Sequence, residues 1–271
     1  MSAVRRPLKS LGQNFLVDRN IIDKIINSAA LDSSDTVLEV GPGRGALTGY
    51  LVERAAQLLL VEYDHALAAD LSARYHENPR VRVVDGDILD VDLDALLAQA
   101  EGKWKVVANL PYNISTQVLF RFMEVRARLS RMVLMLQKEV GDRLVAPPDC
   151  ADYGVTTVLL GLWFDMRREF IVSPGCFHPR PKVDSVVVSF VPLSSPRVEV
   201  GDEAIFRRVV KGAFAMRRKT LSNCLKRADL QAPDGFDTIL KDCEIDGQRR
   251  GETLTLEEFA RLSRCLSGLK V

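Results

Sequence analysis

Four stretches of this 271-residue chain carry groups suited to chemistry. The first is Asn109-Leu110-Pro111-Tyr112. The apolar run before it, 106–108, reads as a buried strand. Proline lacks an N–H and holds φ, so strand pairing ends there. The turn leaves a side-chain amide, backbone carbonyls and a flat ring at the carboxyl end of a strand, where open α/β sheets bind ligands. The Asn109 and Leu110 carbonyls can each accept one N–H of an exocyclic amine on a planar base. Such bonds draw the nitrogen lone pair out of conjugation and aim it at an electrophile, while Tyr112 can stack on the ring. Taken alone, four residues are more simply a structural turn around a packed tyrosine.

The other three stretches change that balance. Gly41-Pro42-Gly43-Arg44-Gly45 follows Leu38-Glu39-Val40 and precedes Ala46-Leu47-Thr48, which opens a helical pattern. A glycine loop between strand and helix lets backbone approach a ligand closely. Its glycines fall at first, third and fifth positions rather than first, third and sixth; Ala46 takes the sixth. Glu62 ends the next apolar run, 21 residues after Gly41, where a carboxylate would grip the two ribose hydroxyls of an adenosine. NAD and S-adenosyl-methionine both satisfy these two features. Asp87, in Asp85-Gly86-Asp87-Ile88, ends the third run, where an acid can meet an adenine amine. A dehydrogenase needs a proton donor for its alcohol or carbonyl, and no His or Lys stands out near these strand ends. Methyl transfer from a sulfonium needs an in-line approach and an oriented site instead.

The elements that would position these residues alternate. Strand patterns at 36–40, 58–62, 81–84, 105–108 and 132–136 are separated by helical or loop segments, which predicts an α/β fold with a mostly parallel, Rossmann-like sheet. Runs at 168–172 and 183–191 follow, the second alternating as an antiparallel closing strand would. Asp18 is a good N-cap for a helix over 19–30, with Ile21, Ile22, Ile25, Ile26 and Ala29 at helical spacing. Residues 192–201 read as a linker. Beyond it, 203–268 show helical periods and no strand pattern, and Thr255-Leu-Glu-Glu258 forms a capping box. The expected organisation is a catalytic domain over 1–197 and a small all-helical domain over 198–271.

Composition narrows the class. Hydrophobic residues make up 47%, enough for a sizeable core. Thirty-seven basic and 36 acidic residues leave a net charge of +1, so a polyanion partner must be argued from local clustering. No run is long enough for a transmembrane helix, and the start carries no apolar signal segment. The five cysteines (Cys150, Cys176, Cys224, Cys243, Cys265) make no Cys-x-x-Cys pair and read as reduced thiols of a cytoplasmic protein. His65, His76 and His178 make no metal pattern. One cluster does stand out. Residues 207–227 hold Arg207, Arg208, Lys211, Arg217, Arg218, Lys219, Lys226 and Arg227 and no acid, interleaved with Val209, Val210, Phe214 and Leu221. A helical surface of that kind fits phosphate contacts. Arg5, Arg6 and Lys9 add a basic tail, and Arg121, Arg126, Arg128 and Arg131 are expected to extend the track.

At this point nearly the whole chain resembles the small-subunit ribosomal RNA adenine dimethyltransferases. The matching stretches are Leu11-Gly-Gln-Asn-Phe-Leu-Val-Asp18, 38–48, Gly86-Asp-Ile-Leu89, Asn109-Leu-Pro-Tyr-Asn-Ile-Ser115, Leu136-Gln-Lys-Glu-Val140, Phe177-His-Pro-Arg-Pro-Lys-Val-Asp-Ser185 and Arg217-Arg-Lys-Thr-Leu221. Macrolide-resistance methylases of large-subunit rRNA share the first few and form the alternative; Gln137-Lys138-Glu139-Val140 and the Pro-Lys-Val-Asp-Ser loop favour the small-subunit branch. The resemblance implies that Asn14, Leu16, Gly41, Gly43, Glu62, Asp87 and Asn109 contact S-adenosyl-methionine, and that Phe177 faces Tyr112 across the target adenine. It implies dimethylation of two adjacent adenosines in a hairpin loop near the 3′ end of small-subunit rRNA, by a cytoplasmic monomer acting on a pre-small-subunit particle. Two departures are Gln117, where proline is expected, and Met216, where glutamine is expected.

Overall fold

A computed structural model of the protein describes residues 14–216, 218–228 and 230–268. Gln13, the basic tail residues Arg5, Arg6 and Lys9, and Arg217 lie outside the described residues. Two compact units emerge. The first comprises residues up to Gly141 and Asp165–Pro192; the second comprises Asp142–Phe164 and the chain from Leu193. The excursion at 142–164, expected in the catalytic domain, therefore packs with the helical unit, and the second boundary falls at 192 rather than 197. The reason lies in helix Val155–Gly161, which packs on the helix Glu203–Phe214.

The first unit is built on a seven-stranded sheet. Its strands in chain order are β2 (Thr36–Val40), β3 (Gln57–Glu62), β4 (Val81–Asp85), β5 (Trp104–Asn109), β6 (Leu129–Gln137), β7 (Phe164–Val172) and β9 (Ser185–Pro192). A separate pair, β1 (Phe15–Leu16) and β8 (Phe177–His178), makes a two-stranded antiparallel ribbon. In space the large sheet runs β4-β3-β2-β5-β6-β9-β7. β4, β3, β2, β5 and β6 are parallel, and β9 closes antiparallel on β6, as its alternation predicts. Every residue of β2 is buried, Thr36 and Glu39 included, as expected of a central parallel strand covered on both faces.

Helix α1 (Arg19–Ala29) shows how a local pattern becomes packing. The Asp18 carboxylate accepts the Ile21 N–H at 3.2 Å and starts the helix; Ala30, at φ 48°, ends it. Ile22, Ile25, Ile26 and Ala29 point to one side and join a core with Val37, Leu58, Val107 and Val133. Each fully buried isoleucine contributes about 1.5–3 kcal/mol, so one helix face holds the sheet far more strongly than its cap does. The crossovers α2 (Thr48–Arg54), α3 (His65–Tyr75), α4 (Leu93–Leu97) and α5 (Ser115–Glu124) return the chain so that β2 to β6 all run the same way. Their carboxyl ends consequently lie along one edge of the sheet.

In the second unit α7 (Val155–Gly161), α8 (Glu203–Phe214), α9 (Leu221–Leu225), α10 (Phe236–Asp242) and α11 (Leu256–Leu266) pack around Phe206, Val209, Phe259 and Leu262, with α6 (Lys138–Leu144) reaching it from β6. No described residue in it past 192 is a strand. The Thr255 capping box is present: Thr255 Oγ1 accepts the Glu258 N–H at 3.2 Å, and Glu258 accepts the Thr255 N–H at 2.8 Å. No helix of the described residues is long and apolar enough to cross a membrane.

Candidate active site

In-register parallel pairing brings the chemistry to one place. Val40 lies beside Val61, and Glu62 beside Asp85. The glycine loop, Glu62, Asp87 and the Asn109 turn therefore end adjacent strands at the same edge. Together they line a cavity of about 270 Å³ that includes Asn14, Leu16, Gly41, Gly43, Glu62, Asp87, Asn109, Leu110, Pro111 and Tyr112.

The glycine loop bends where a side chain would cost most. Gly41, Gly43 and Gly45 have φ of 63°, 58° and 83°, a region that suits glycine. A Cβ on Gly43 would also sit 3.0 Å from the Phe15 ring. The loop is braced from the next strand. The Gly43 N–H donates to Glu62 Oε2 at 2.9 Å, and the Asp64 N–H to Oε1 at 2.9 Å. Burial pushes the Glu62 carboxyl up, and those backbone donors pull against the shift. Each carboxylate oxygen keeps a further lone pair, so Glu62 can accept ribose hydroxyls while it holds the loop. Asp87 Oδ1 accepts the Leu89 N–H at 2.8 Å, which fixes the side chain at the end of β4.

At the Asn109 turn the backbone is locked. The Leu110 N–H donates to Met135 O at 3.1 Å, and the Ile114 N–H to Pro111 O at 3.3 Å. The Leu110 carbonyl has no hydrogen bond among the described residues. The Asn109 amide is oriented from 95 residues away: Nδ2 donates to Asn14 O at 3.1 Å. A carbonyl can only be met by the NH₂ end of the amide, so Oδ1 is turned the other way, available to an incoming N–H. Asn14 stands here because β1 pairs with β8. No local pattern in the sequence indicates that position; only the family resemblance did.

Several residues that line the cavity were not singled out in the sequence. Phe15 covers Gly43, and the Arg44 guanidinium lies 4.5 Å above its ring. Tyr63, directly after the strand-end acid, is 55% exposed and offers a ring wall; an aromatic beside such an acid was the available signal. Glu39 is almost fully buried, accepts the Thr48 hydroxyl at 2.7 Å, and has its carboxyl pushed up to about 8 by burial, with Glu62 adding to the shift.

One expected site residue lies elsewhere. Phe177 does not line the cavity; it is 4% exposed and packs in the core with Leu16, Ile22 and Val172. Pairing of Leu16 with Phe177 in the small ribbon draws the ring inward, so the two-sided aromatic clamp is not assembled here. The arginines after the turn are likewise engaged. Arg121 bonds Val91 O and Glu124, Arg126 bonds Met123 O, Arg128 grips Asp94 with two nitrogens, and Arg131 bonds Ser28 O. They tie elements together and do not form an open basic track. Gln117 is exposed on α5, away from the lining.

In the helical unit Arg208, Lys211, Arg218, Lys219 and Arg227 are exposed, and Arg207 is partly so. The acid missing from 207–227 arrives from α10, where Asp237 pairs with Lys226 at 2.6 Å. Lys219 and Met216 line a second, more polar cavity with Arg143 and Arg250.

A parallel sheet with a glycine loop, a strand-end acid pair and a cavity at its carboxyl edge defines a class I, Rossmann-like methyltransferase dependent on S-adenosyl-methionine. The residues suit that cofactor: the Glu62 carboxyl offers acceptors for a ribose, and Asp87 stands beside it at the end of the next strand. The chain belongs to the ribosomal RNA adenine dimethylase family, whose model matches residues 5–262. It is 57% identical to a ribosomal RNA small subunit methyltransferase A of Geobacter metallireducens over 97% of both chains. Among solved structures it is similar to a dimethyladenosine transferase of Plasmodium falciparum, with 27% identity, a TM-score of 0.77, and coverage of 92% of this chain and 95% of that one. A 23S rRNA methyltransferase, ErmE, is similar at 25% identity and a TM-score of 0.69, over 94% of this chain and 100% of its own.

Glu62→Ala should weaken binding of S-adenosyl-methionine and its demethylated product by about 10- to 150-fold, since hydrogen bonds to a charged group contribute about 1.5–3 kcal/mol. Glu62→Gln, which keeps one acceptor oxygen, should lose less. Titration calorimetry decides, and unchanged affinity in the alanine variant would remove Glu62 from the cofactor site.

Glu39 carries a pH signature. Its folded pKa, about 8, lies above the ordinary 4.5, so between those values the native state holds a proton that the unfolded state has released. The unfolded state then binds fewer protons, and stability falls as pH rises from about 4.5 to 8. Urea unfolding across that range should show the decline in the wild type and a flatter profile in Glu39→Gln.

Proposed function

We propose that the protein dimethylates the exocyclic amines of two adjacent adenosines in a hairpin loop near the 3′ end of small-subunit rRNA, and that it acts during small-subunit assembly. The observation that carries the reading is the Asn109 turn: Oδ1 aimed by the Asn14 bond, beside a Leu110 carbonyl with no hydrogen bond among the described residues, at the rim of the cofactor cavity. The 57% identity to a small subunit methyltransferase A, against 25% to the large-subunit enzyme, supports the small-subunit branch.

S-adenosyl-methionine would supply an electrophilic methyl group on a sulfonium and leave as the neutral thioether with the C–S electron pair, and the proton displaced from the amine would pass to solvent. The chain supplies position and polarity. Asn109 Oδ1 and the Leu110 carbonyl accept the two N–H bonds of the amine and turn its lone pair toward the cavity. Their bonds strengthen as the nitrogen becomes tetrahedral and its N–H groups more acidic, so they stabilise the transition state more than the bound substrate. The second transfer begins with one N–H, and a single acceptor then serves. Tyr112 stacks on the splayed-out base, as aromatic rings hold flipped nucleotides. Phe177, being buried, anchors the β1–β8 ribbon that carries Asn14.

The helical unit, in this reading the RNA-contacting domain, meets phosphates through Arg207, Arg208, Lys211, Arg217, Arg218 and Lys219. Its substrate is a pre-small-subunit particle, met in the cytoplasm by a monomer. Labelled methyl transfer to small-subunit particles, followed by nucleoside analysis, tests the assignment; label in large-subunit rRNA instead would reverse the branch.

Asn109→Ala should lower kcat about 10²–10³-fold, with little change in KM and intact RNA binding, because an interaction made mainly in the transition state is lost. Single-turnover methylation reads the step directly.

Replacing Arg218 and Lys219 by Ala should flatten the salt dependence of RNA binding. Each lost phosphate contact lowers the log–log slope by about 0.7–0.9. An unchanged slope would make this cluster a solvated face only.

A further inference from the structure

The Pro-Lys-Val-Asp-Ser stretch has no role in the chemistry above, yet its last residue reaches the site. Ser185 opens β9, opposite Gln137 at the end of β6. Its side chain is fully buried. Next to it, the Lys138 N–H donates to Asp184 O at 2.9 Å, so the Gln-Lys-Glu-Val and Val-Asp-Ser stretches close the same end of the sheet. From there the Ser185 hydroxyl meets the Tyr112 hydroxyl at 2.6 Å, across 73 residues of sequence. At the other end of the tyrosine, the buried Ser115 hydroxyl donates to the Tyr112 carbonyl at 3.3 Å.

The geometry points to Ser185 as a positioning residue: by holding the Tyr112 hydroxyl it fixes the ring on which the target base stacks. The inference rests on the reading of Tyr112 as the stacking platform. Its physical content is specific. The phenol oxygen lies on the axis about which the ring flips, so a bond there leaves χ2 free. What it constrains is χ1, the angle that swings the whole ring toward or away from a ligand. Without the tether, χ1 has three staggered wells. A ring shared among them occupies the productive one about a third of the time. Burial holds the phenol neutral and Ser185 opposes that shift, so the pair is a neutral O–H···O bond.

The expected loss is therefore modest and of a particular form. In steady-state methylation of small-subunit particles, Tyr112→Phe and Ser185→Ala should each lower kcat/KM for the particle about three- to tenfold, from the lost rotamer restriction and the lost neutral bond. The double variant should be no worse than either single one, since both cut the same tether. Calorimetric affinity for S-adenosyl-methionine should not change in any of them. Additive losses, or a Tyr112→Phe enzyme equal to wild type, would overturn the inference and leave Ser185 a packed strand residue. Should Ser185→Ala fail to fold, Tyr112→Phe alone decides: a three- to tenfold loss at constant cofactor affinity supports the tether, and wild-type activity refutes it. Tyr112→Ala tests the underlying reading separately. Full activity there would remove the stacking platform, and the tether with it, while a severe loss with an unaffected Tyr112→Phe would remove the tether alone.

Discussion

The bond from the Gly43 N–H to the Glu62 carboxylate joins the two halves of the cofactor cavity. A loop with three glycines at positive φ has many conformations available, and only Pro42 and Arg44 carry side chains to restrict it. Glu62 makes the choice. It is buried at the end of β3, and burial alone disfavours its charge. Two backbone donors offset part of that cost and keep an acceptor group at a buried strand end. The same carboxylate thus shapes the loop and presents lone pairs to a ligand. Glu39, one strand over, lacks such backbone donors, accepts only a hydroxyl, and has its carboxyl pushed far higher. Two acids on adjacent strands therefore differ in character because of which donors surround them.

Beyond this bond, the site depends on segments far apart in sequence arriving at one edge. Parallel pairing in register aligns four strand ends. The short β1–β8 ribbon then carries Asn14 to Asn109 and lays Phe15 over the glycine loop. Antiparallel closure by β9 brings Ser185 to Tyr112. Amide and ring, the two groups proposed to meet the base, are each held from another strand. A flexible turn held this way loses its entropy during folding rather than during catalysis, which is the physical meaning of preorganisation.

Charge is divided differently in the two units. Around the cavity, the strand-end acids Glu62 and Asp87 share the lining with a single arginine, Arg44. In the helical unit, Arg208 and Lys211 are exposed on α8, whose apolar face is buried, and Arg218, Lys219 and Arg227 are exposed in the turns beyond it. The near-neutral total of the chain conceals this separation. Arginines 121, 126, 128 and 131 show the limit of counting charges along a chain. Each meets an acid or a carbonyl of a neighbouring element, and a guanidinium engaged in that way is structural glue.

Much of this was legible in the sequence because it is local. Strand runs, the Asp18 cap, the Thr255 box, the glycine spacing and the acids at 62 and 87 all express backbone periodicity or the needs of a turn. These are set within a few residues and survive in a one-dimensional reading. The aligned strand ends followed from the alternating pattern, since crossovers of that kind give a parallel sheet. What only the tertiary structure decided are partnerships across long separations: Asn14 with Asn109, Ser185 with Tyr112, Asp94 with Arg128, and the burial of Phe177 against Leu16. The assignment of 142–164 to the helical unit is of the same kind. No local period encodes these, because each depends on where packing leaves two distant surfaces facing one another, and a side chain's role is set by the partner it finds there.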